Sequence, residues 1–116
     1  MNRKVLMALD ELHDGQTVET SYREGEHIHS LILHRQGETV RAWRNVCPHQ
    51  GRPLNWAPGR LLISDDGLLI CPAHGAAFEL ERGQCVKGVC QGSSLVPLPV
   101  EVHDGAICCA RDDLPA

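Results

Sequence analysis

The sequence has 116 residues, a formal net charge of −4 and a pI near 5.9. This acidic balance argues against nucleic acid or an anionic membrane as the main partner, because both favour a basic protein surface. The length fits one domain over residues 1–116, and no window approaches the ~18 apolar residues that a membrane span requires.

The N-terminal residues do not read as a targeting segment. Their apolar run is broken by Asp10 and Glu11, whereas a signal peptide needs a longer apolar stretch and a small-residue cleavage site. We therefore predict a cytoplasmic protein. Because thiols stay reduced in the cytoplasm, the six cysteines are read as metal ligands and thiols rather than three disulfides.

Strand patterns dominate the chain, and the one helical turn that we predict lies near Leu9–Leu12. Branched and apolar runs at His27–Leu33 and Thr39–Trp43 flank a turn centred on Gly37, which predicts a hairpin. Further strands are predicted at Leu61–Ile63, Gly67–Ile70, Ala77–Leu80, Leu95–Val102 and Ala106–Ala110. Many short strands at this spacing predict an all-β fold, a small antiparallel sandwich or barrel.

Two cysteine–histidine motifs interrupt the strands. The first is Cys47-Pro48-His49 followed by Gly51, and the second is Cys71-Pro72-Ala73-His74 followed by Gly75. Each proline stiffens its loop, and each glycine lets the backbone approach a bulky inorganic group. Together the loops offer two soft sulfurs and two imidazoles to a metal.

A Cys2His2 set could hold a tetrahedral zinc ion. Zinc motifs, however, usually pair cysteine with cysteine and histidine with histidine, whereas each loop here supplies one of each. That arrangement favours a [2Fe–2S] cluster in which both cysteines bind one iron and both histidines bind the other.

The double motif resembles the Rieske ferredoxin family, and the resemblance covers roughly Val5 to Cys109, with a motif core at about 40–92. It includes Pro53-Leu54 after the first motif and Phe78-Glu79-Leu80 after the second. The resemblance implies an antiparallel β domain with a cluster-binding subdomain. It assigns Cys47 and Cys71 to a buried iron, and His49 and His74 to an outer iron with an imidazole edge facing solvent.

The sequence departs from the family pattern at several positions. Val89, in the stretch Gly88-Val89-Cys90, stands where a proline usually covers the cluster. High-potential members carry an extra disulfide and hydroxyl side chains, but the corresponding positions here are Arg52, Ala73, Ala76 and Phe78. The resemblance therefore implies a low potential within the Rieske range.

The function that these motifs favour is electron transfer without catalysis. We expect a ferredoxin that carries single electrons between a flavoprotein reductase and an oxygenase. One alternative is the small Rieske subunit of a larger enzyme, similar to assimilatory nitrite reductase. Another is a redox or iron–sulfur sensor.

The remaining cysteines and histidines are not predicted to be ligands. Cys85 and Cys90 could form a redox-responsive dithiol or an extra disulfide, or they could be two packed thiols. Cys108 and Cys109 are adjacent on a predicted strand, so one should face the core and the other outward. His27 and His29 are expected on the wetter face of their strand.

Overall fold

The computed structural model describes residues 3–48 and 51–110 of the chain. At Tyr22 and Glu24, only the backbone is described. The order of elements is β1 (Arg3–Ala8), a 3-10 turn (Leu9–Glu11), β2 (Thr17–Glu24), β3 (His27–Gln36), β4 (Thr39–Arg44), β5 (Asn55–Ala57), β6 (Arg60–Ile63), β7 (Leu69–Ile70), β8 (Ala77–Phe78), β9 (Cys85–Lys87), β10 (Glu101–His103) and β11 (Ala106–Ala110). The all-β prediction is confirmed.

The strands form three antiparallel sheets. One sheet has the order β2-β3-β4, a second has the order β1-β11-β10, and a third runs β5-β6-β7-β8-β9. The predicted β3–β4 hairpin and the turn at Leu9–Glu11 are confirmed. In the sequence, the third sheet begins after the first cysteine–histidine motif, and the second motif lies within it, between β7 and β8. This arrangement is expected for a cluster-binding subdomain.

The β3–β4 hairpin is buried on both faces. Leu31 and Leu33 point into one core cluster, which also contains Ile107 of β11. Ile32 and Trp43 point the other way, into a cluster formed with the third sheet. Because alternate residues of a strand face opposite sides, this one hairpin connects the two halves of the molecule.

The predicted strand Leu95–Val102 is mostly wrong. Only Glu101–His103 forms a strand there, and Pro97 contributes an isolated bridge to Trp43. Pro97 and Pro99 have no backbone N–H to donate to a ladder, which breaks the strand pairing. The sequence reading also missed β1, β2, β5 and β9.

Candidate metal centre

The first motif lies in the loop between β4 and β5, and two backbone hydrogen bonds close it. The N–H of Cys47 donates to the carbonyl of Arg52 at 2.7 Å. The N–H of Gly51 donates back to the carbonyl of Cys47 at 2.8 Å. The loop is therefore anchored at the cysteine itself.

The second motif, between β7 and β8, repeats this pattern at the same spacings. The N–H of Cys71 donates to the carbonyl of Ala76 at 2.7 Å, and the N–H of Gly75 donates to the carbonyl of Cys71 at 2.9 Å. Gly51 and Gly75 have φ values of +70° and +74°, which glycine adopts without steric cost. The two loops thus share one backbone design.

The described ligand candidates divide between interior and surface. Cys47 and Cys71 are 2% and 1% exposed and belong to the same core cluster. His74 is exposed. The predicted ligand His49 lies outside the described residues. Two buried sulfurs and an exposed imidazole suit a metal group that the cysteines bind on its inner side and that a histidine binds at the protein surface.

Asn45 closes the first loop at its base, and sequence reasoning missed it. Its side-chain oxygen accepts a 2.6 Å hydrogen bond from the N–H of Leu54. Its amide nitrogen donates to the side-chain oxygens of Asn55 at 2.7 Å and Ser30 at 2.9 Å. Asn45 is only 5% exposed. In the sequence, its position two residues before Cys47 was the one feature that could have indicated this role.

The same hydrogen-bond network reaches the β2-β3-β4 sheet. The Ser30 hydroxyl donates to a carboxylate oxygen of Glu19 at 2.9 Å, and the N–H of Gly59 donates to the other oxygen at 3.2 Å. Glu19 and Ser30 lie on β2 and β3, whereas Gly59 lies in the β5–β6 turn. The network therefore fixes the orientation of the first loop relative to the main hairpin.

A third segment, Gly88–Cys90, packs on the second loop and shares a buried core cluster with Cys47 and Cys71. Gly88 packs directly on the backbone of Ala76 at the end of the second loop. Cys90 belongs to the same buried core cluster as Cys47 of the first loop. Val89, between them, is 68% exposed. We call this segment the cover segment.

Within residues 3–48 and 51–110, no group of three or more His, Cys, Asp or Glu side chains is arranged to hold a metal ion. His49 is not among these residues. The three described candidates still match the donor chemistry of a mixed cysteine–histidine cluster site, with soft sulfurs buried and an imidazole at the surface.

Comparison with protein families decides the identity of the group. The model for the Rieske [2Fe–2S] domain matches residues 2–104. This chain belongs to the Rieske [2Fe–2S] domain family. It therefore binds a [2Fe–2S] cluster.

Known relatives of this Rieske domain include components of oxygenase systems. The ferredoxin component of the alkene monooxygenase system of Xanthobacter autotrophicus is 34% identical, over 93% of this chain and 80% of the relative. The oxygenase subunit of carnitine monooxygenase from Acinetobacter pittii is 30% identical, over 78% of this chain and 27% of that protein.

A solved structure shares the fold over nearly its whole length. It is the ferredoxin of carbazole 1,9a-dioxygenase from Nocardioides aromaticivorans, with a TM-score of 0.70 and 22% identity. The match covers 95% of this chain and 98% of that one. This structure shares the fold, and the 34% identity to the alkene monooxygenase ferredoxin component identifies the Rieske domain as an electron carrier that does not itself catalyse a reaction.

Beside the motifs, the Rieske domain buries a pair of thiols. The Cys90 thiol donates to the Cys85 sulfur, and the two sulfurs are 2.8 Å apart. Burial, the hydrogen bond to Cys85 and the nearby thiolate charges raise the pKa of Cys90 to about 12. Cys90 is therefore a protonated thiol at neutral pH.

Two sequence predictions about the other candidates are wrong. Cys108 and Cys109 are both buried, at 4% and 2% exposure, because β11 is the central strand of its sheet and is covered on both faces. His29 is also buried, at 9% exposure, whereas Ile28 beside it is 64% exposed. His29 lies on the same strand face as the core residue Leu31, which explains the reversal.

Proposed function

We propose that Cys47, His49, Cys71 and His74 hold the cluster, with the cysteines on the inner iron and the histidines on the outer one. The observation that carries this proposal is the matched pair of loops, each closed by the same two hydrogen bonds around a buried cysteine. When bound, the cluster accepts and releases one electron. The exposed position of His74 supports the histidine edge as the point of electron exit.

We further propose that the chain carries electrons from a flavoprotein reductase to an oxygenase. Two relatives support this role by name, one a ferredoxin component of an alkene monooxygenase system and the other the ferredoxin of a carbazole dioxygenase. The first is matched over 80% of its length and the second over 98%.

The surface around the second loop fits a protein partner. A shallow groove of about 280 Å³ lies between the two loops and β5. Its walls are formed by Arg52, Pro53, Asn55, Trp56, Pro72 and Ala73. Trp56 is 59% exposed, and large exposed apolar side chains at a rim of polar groups are typical of docking surfaces. We propose this groove as part of the partner contact.

An anaerobic electron-transfer experiment tests the function. The holoprotein is reduced chemically and mixed with an oxidised Rieske oxygenase from the same cells, and the visible spectrum of the cluster is followed. A carrier should be reoxidised within the turnover time of the oxygenase, and NADH or NADPH with a flavoprotein reductase from those cells should reduce it again. Failure to exchange electrons in either direction would reject the carrier role.

Purification from the native cells separates the alternatives. A tagged carrier should elute without a stoichiometric partner, whereas an enzyme subunit should co-purify with a large subunit at a fixed ratio. A sensor should instead change its affinity for a partner with its redox state.

Location in the cytoplasm is also a proposal. The structure carries all six cysteines as thiols, which suits a reducing compartment. Within the described residues, no helix is long and apolar enough to cross a membrane. Fractionation of the native cells tests the location, since recovery of the chain outside the cytoplasmic fraction would contradict it.

A further inference from the structure

The Cys85–Cys90 pair stands at the base of the cover segment. Both thiols are buried, at 4% and 6% exposure, and their sulfurs are separated by 2.8 Å. A disulfide bond is about 2.05 Å long. The sulfurs therefore need to approach by less than 1 Å to bond.

The backbone holds the two cysteines in this position. The N–H of Cys85 donates to the carbonyl of Ser93 at 2.9 Å, and the N–H of Ser93 donates to the carbonyl of Cys90 at 2.8 Å. Cys85 also pairs with Phe78 in the β8–β9 ladder. The pair thus closes a loop whose outer part includes Gly88 and the exposed Val89.

The loop closed by this pair packs on the second cysteine–histidine loop. Gly88 lies against Ala76, and Cys90 belongs to the same buried core cluster as Cys47 of the first loop. A covalent bond between residues 85 and 90 would restrict the cover segment directly. Restricting a loop in this way lowers the conformational freedom available when the segment opens.

We propose that Cys85 and Cys90 form a reversible disulfide that restricts the movement of the cover segment. The oxidant is a low-molecular-weight disulfide such as oxidised glutathione. When the loop opens locally, one of the two thiols loses its proton and attacks the oxidant, which forms a mixed disulfide and releases one glutathione thiolate that takes up this proton. The second cysteine then attacks the mixed disulfide and releases the second glutathione, likewise protonated. Two protein S–H bonds and one S–S bond are replaced by one protein S–S bond and two glutathione S–H bonds.

The disulfide should change how firmly the protein retains its bound cluster. Because the cover segment packs on Ala76 at the end of the second loop, we expect iron loss to involve movement of this segment. The disulfide form should therefore release iron to a chelator several-fold more slowly than the dithiol form. The dithiol form should predominate in a reducing cytoplasm, and the disulfide should accumulate under oxidising conditions.

Peptide mapping gives a direct test of the bond. The holoprotein is incubated with oxidised glutathione, remaining thiols are alkylated, and the chain is digested with trypsin. Cleavage after Arg82 and Lys87 separates Cys85 and Cys90 onto peptides 83–87 and 88–111. A disulfide keeps these peptides together until a reductant is added. Fragmentation of the linked pair distinguishes Cys90 from Cys108 and Cys109 on the same peptide.

Variants make the test selective. The Cys85→Ser and Cys90→Ser proteins should show neither the linked peptides nor the slower iron release after oxidation, whereas Cys108→Ser should behave as the unmodified chain. The visible spectrum reports whether the cluster is retained, independently of any electron-transfer assay. Stable glutathione adducts on Cys85 or Cys90, linkage through Cys47 or Cys71, or an unchanged iron-release rate in the oxidised form would each overturn the proposal.

Discussion

Gly88 lies so close to Ala76 that a Cβ atom built on Gly88 would stand 2.9 Å from the Cα of Ala76. Real Cβ atoms essentially never approach a backbone atom this closely. The contact joins the cover segment to the end of the second cysteine–histidine loop. It therefore explains why a residue without a side chain stands at this position.

Substitution of Gly88 by alanine should separate these two segments. Gly92 provides a matched control, because it has nearly the same φ (+97° against +100°) but open space around its Cα. Gly92→Ala should lose about 1–2 kcal/mol of unfolding free energy through backbone strain alone. Gly88→Ala should lose a further ~1–3 kcal/mol from the clash and release iron faster. Equal unfolding midpoints for the two holoproteins in denaturant would contradict the packing argument.

Removal of the Asn45 side chain should loosen the first ligand loop. Asn45→Ala leaves the buried N–H of Leu54 without its acceptor, which costs about 1–3 kcal/mol. Ser30→Ala is the control, because it removes one partner of Asn45 but keeps the bond to Leu54. Iron release to a chelator should be faster in Asn45→Ala than in Ser30→Ala. The reverse order would show that Asn45 does not hold the loop.

The four proposed ligands should be distinguishable from the other cysteines by metal analysis. Purified protein should contain about two irons and two acid-labile sulfides per chain. Alanine at Cys47, His49, Cys71 or His74 should abolish this content and the rhombic EPR signal of the reduced protein, and destabilise the fold, since the metal ties the loops together. Cys108→Ser should retain both. Retention of the iron and the EPR signal in any of the four alanine variants would refute the ligand assignment, and one zinc per chain with no iron after anaerobic expression would contradict the cluster.

The reduction potential should fall in the lower, negative part of the Rieske range of about −150 to +300 mV. Hydrogen bonds to cluster sulfurs raise the potential by stabilising the added negative charge, and neither Ala76 nor Phe78 has a hydroxyl to donate. Ala76→Ser should raise the midpoint by about 40 mV, the equivalent of ~1 kcal/mol for one electron. Ala77→Ser is the control, because Ala77 is equally buried but is not one of the positions where high-potential members carry a hydroxyl. Voltammetry checks both, and a wild-type midpoint above about +100 mV would place the protein in the high-potential class.

Protonation of His34 should destabilise the fold as the pH falls. Burial lowers the pKa of His34 below its usual value of 6.5, and the positive charge of Arg41 acts in the same direction. The unfolded chain therefore binds the proton more readily, so the stability from neutral His34 is present above about pH 6.5 and is lost as the pH falls through the lowered pKa. His34 also shares a 2.8 Å hydrogen bond between its Nδ1 atom and the Thr17 hydroxyl.

Denaturant titrations between pH 8 and pH 5 test this linkage. His34→Gln should show a shallower loss of stability below about pH 6.5 than the wild-type protein. His13→Gln is the matched control, since His13 is exposed, and it should keep the wild-type slope. Identical pH profiles for wild type and His34→Gln would contradict the prediction.

The sequence by itself determined the family, the all-β class and the central hairpin. Each of these depends on local information, namely the spacing of Cys47-Pro48-His49 and Cys71-Pro72-Ala73-His74 and the alternation of apolar residues around Gly37. The four-ligand assignment also came from that spacing and stays a prediction, because His49 lies outside the described residues.

Only the tertiary structure decided which side chains support the site. Asn45 binds partners 9 to 15 residues away, and no local pattern predicts such a network. The burial of Cys108 was misjudged because adjacent residues of β11 are both buried, and that of His29 because it lies on the strand face of the core residue Leu31 rather than on the face of the exposed Ile28. The 2.8 Å approach of Cys85 to Cys90 likewise depends on the turn that brings residues 85 and 93 together, which spacing alone does not specify.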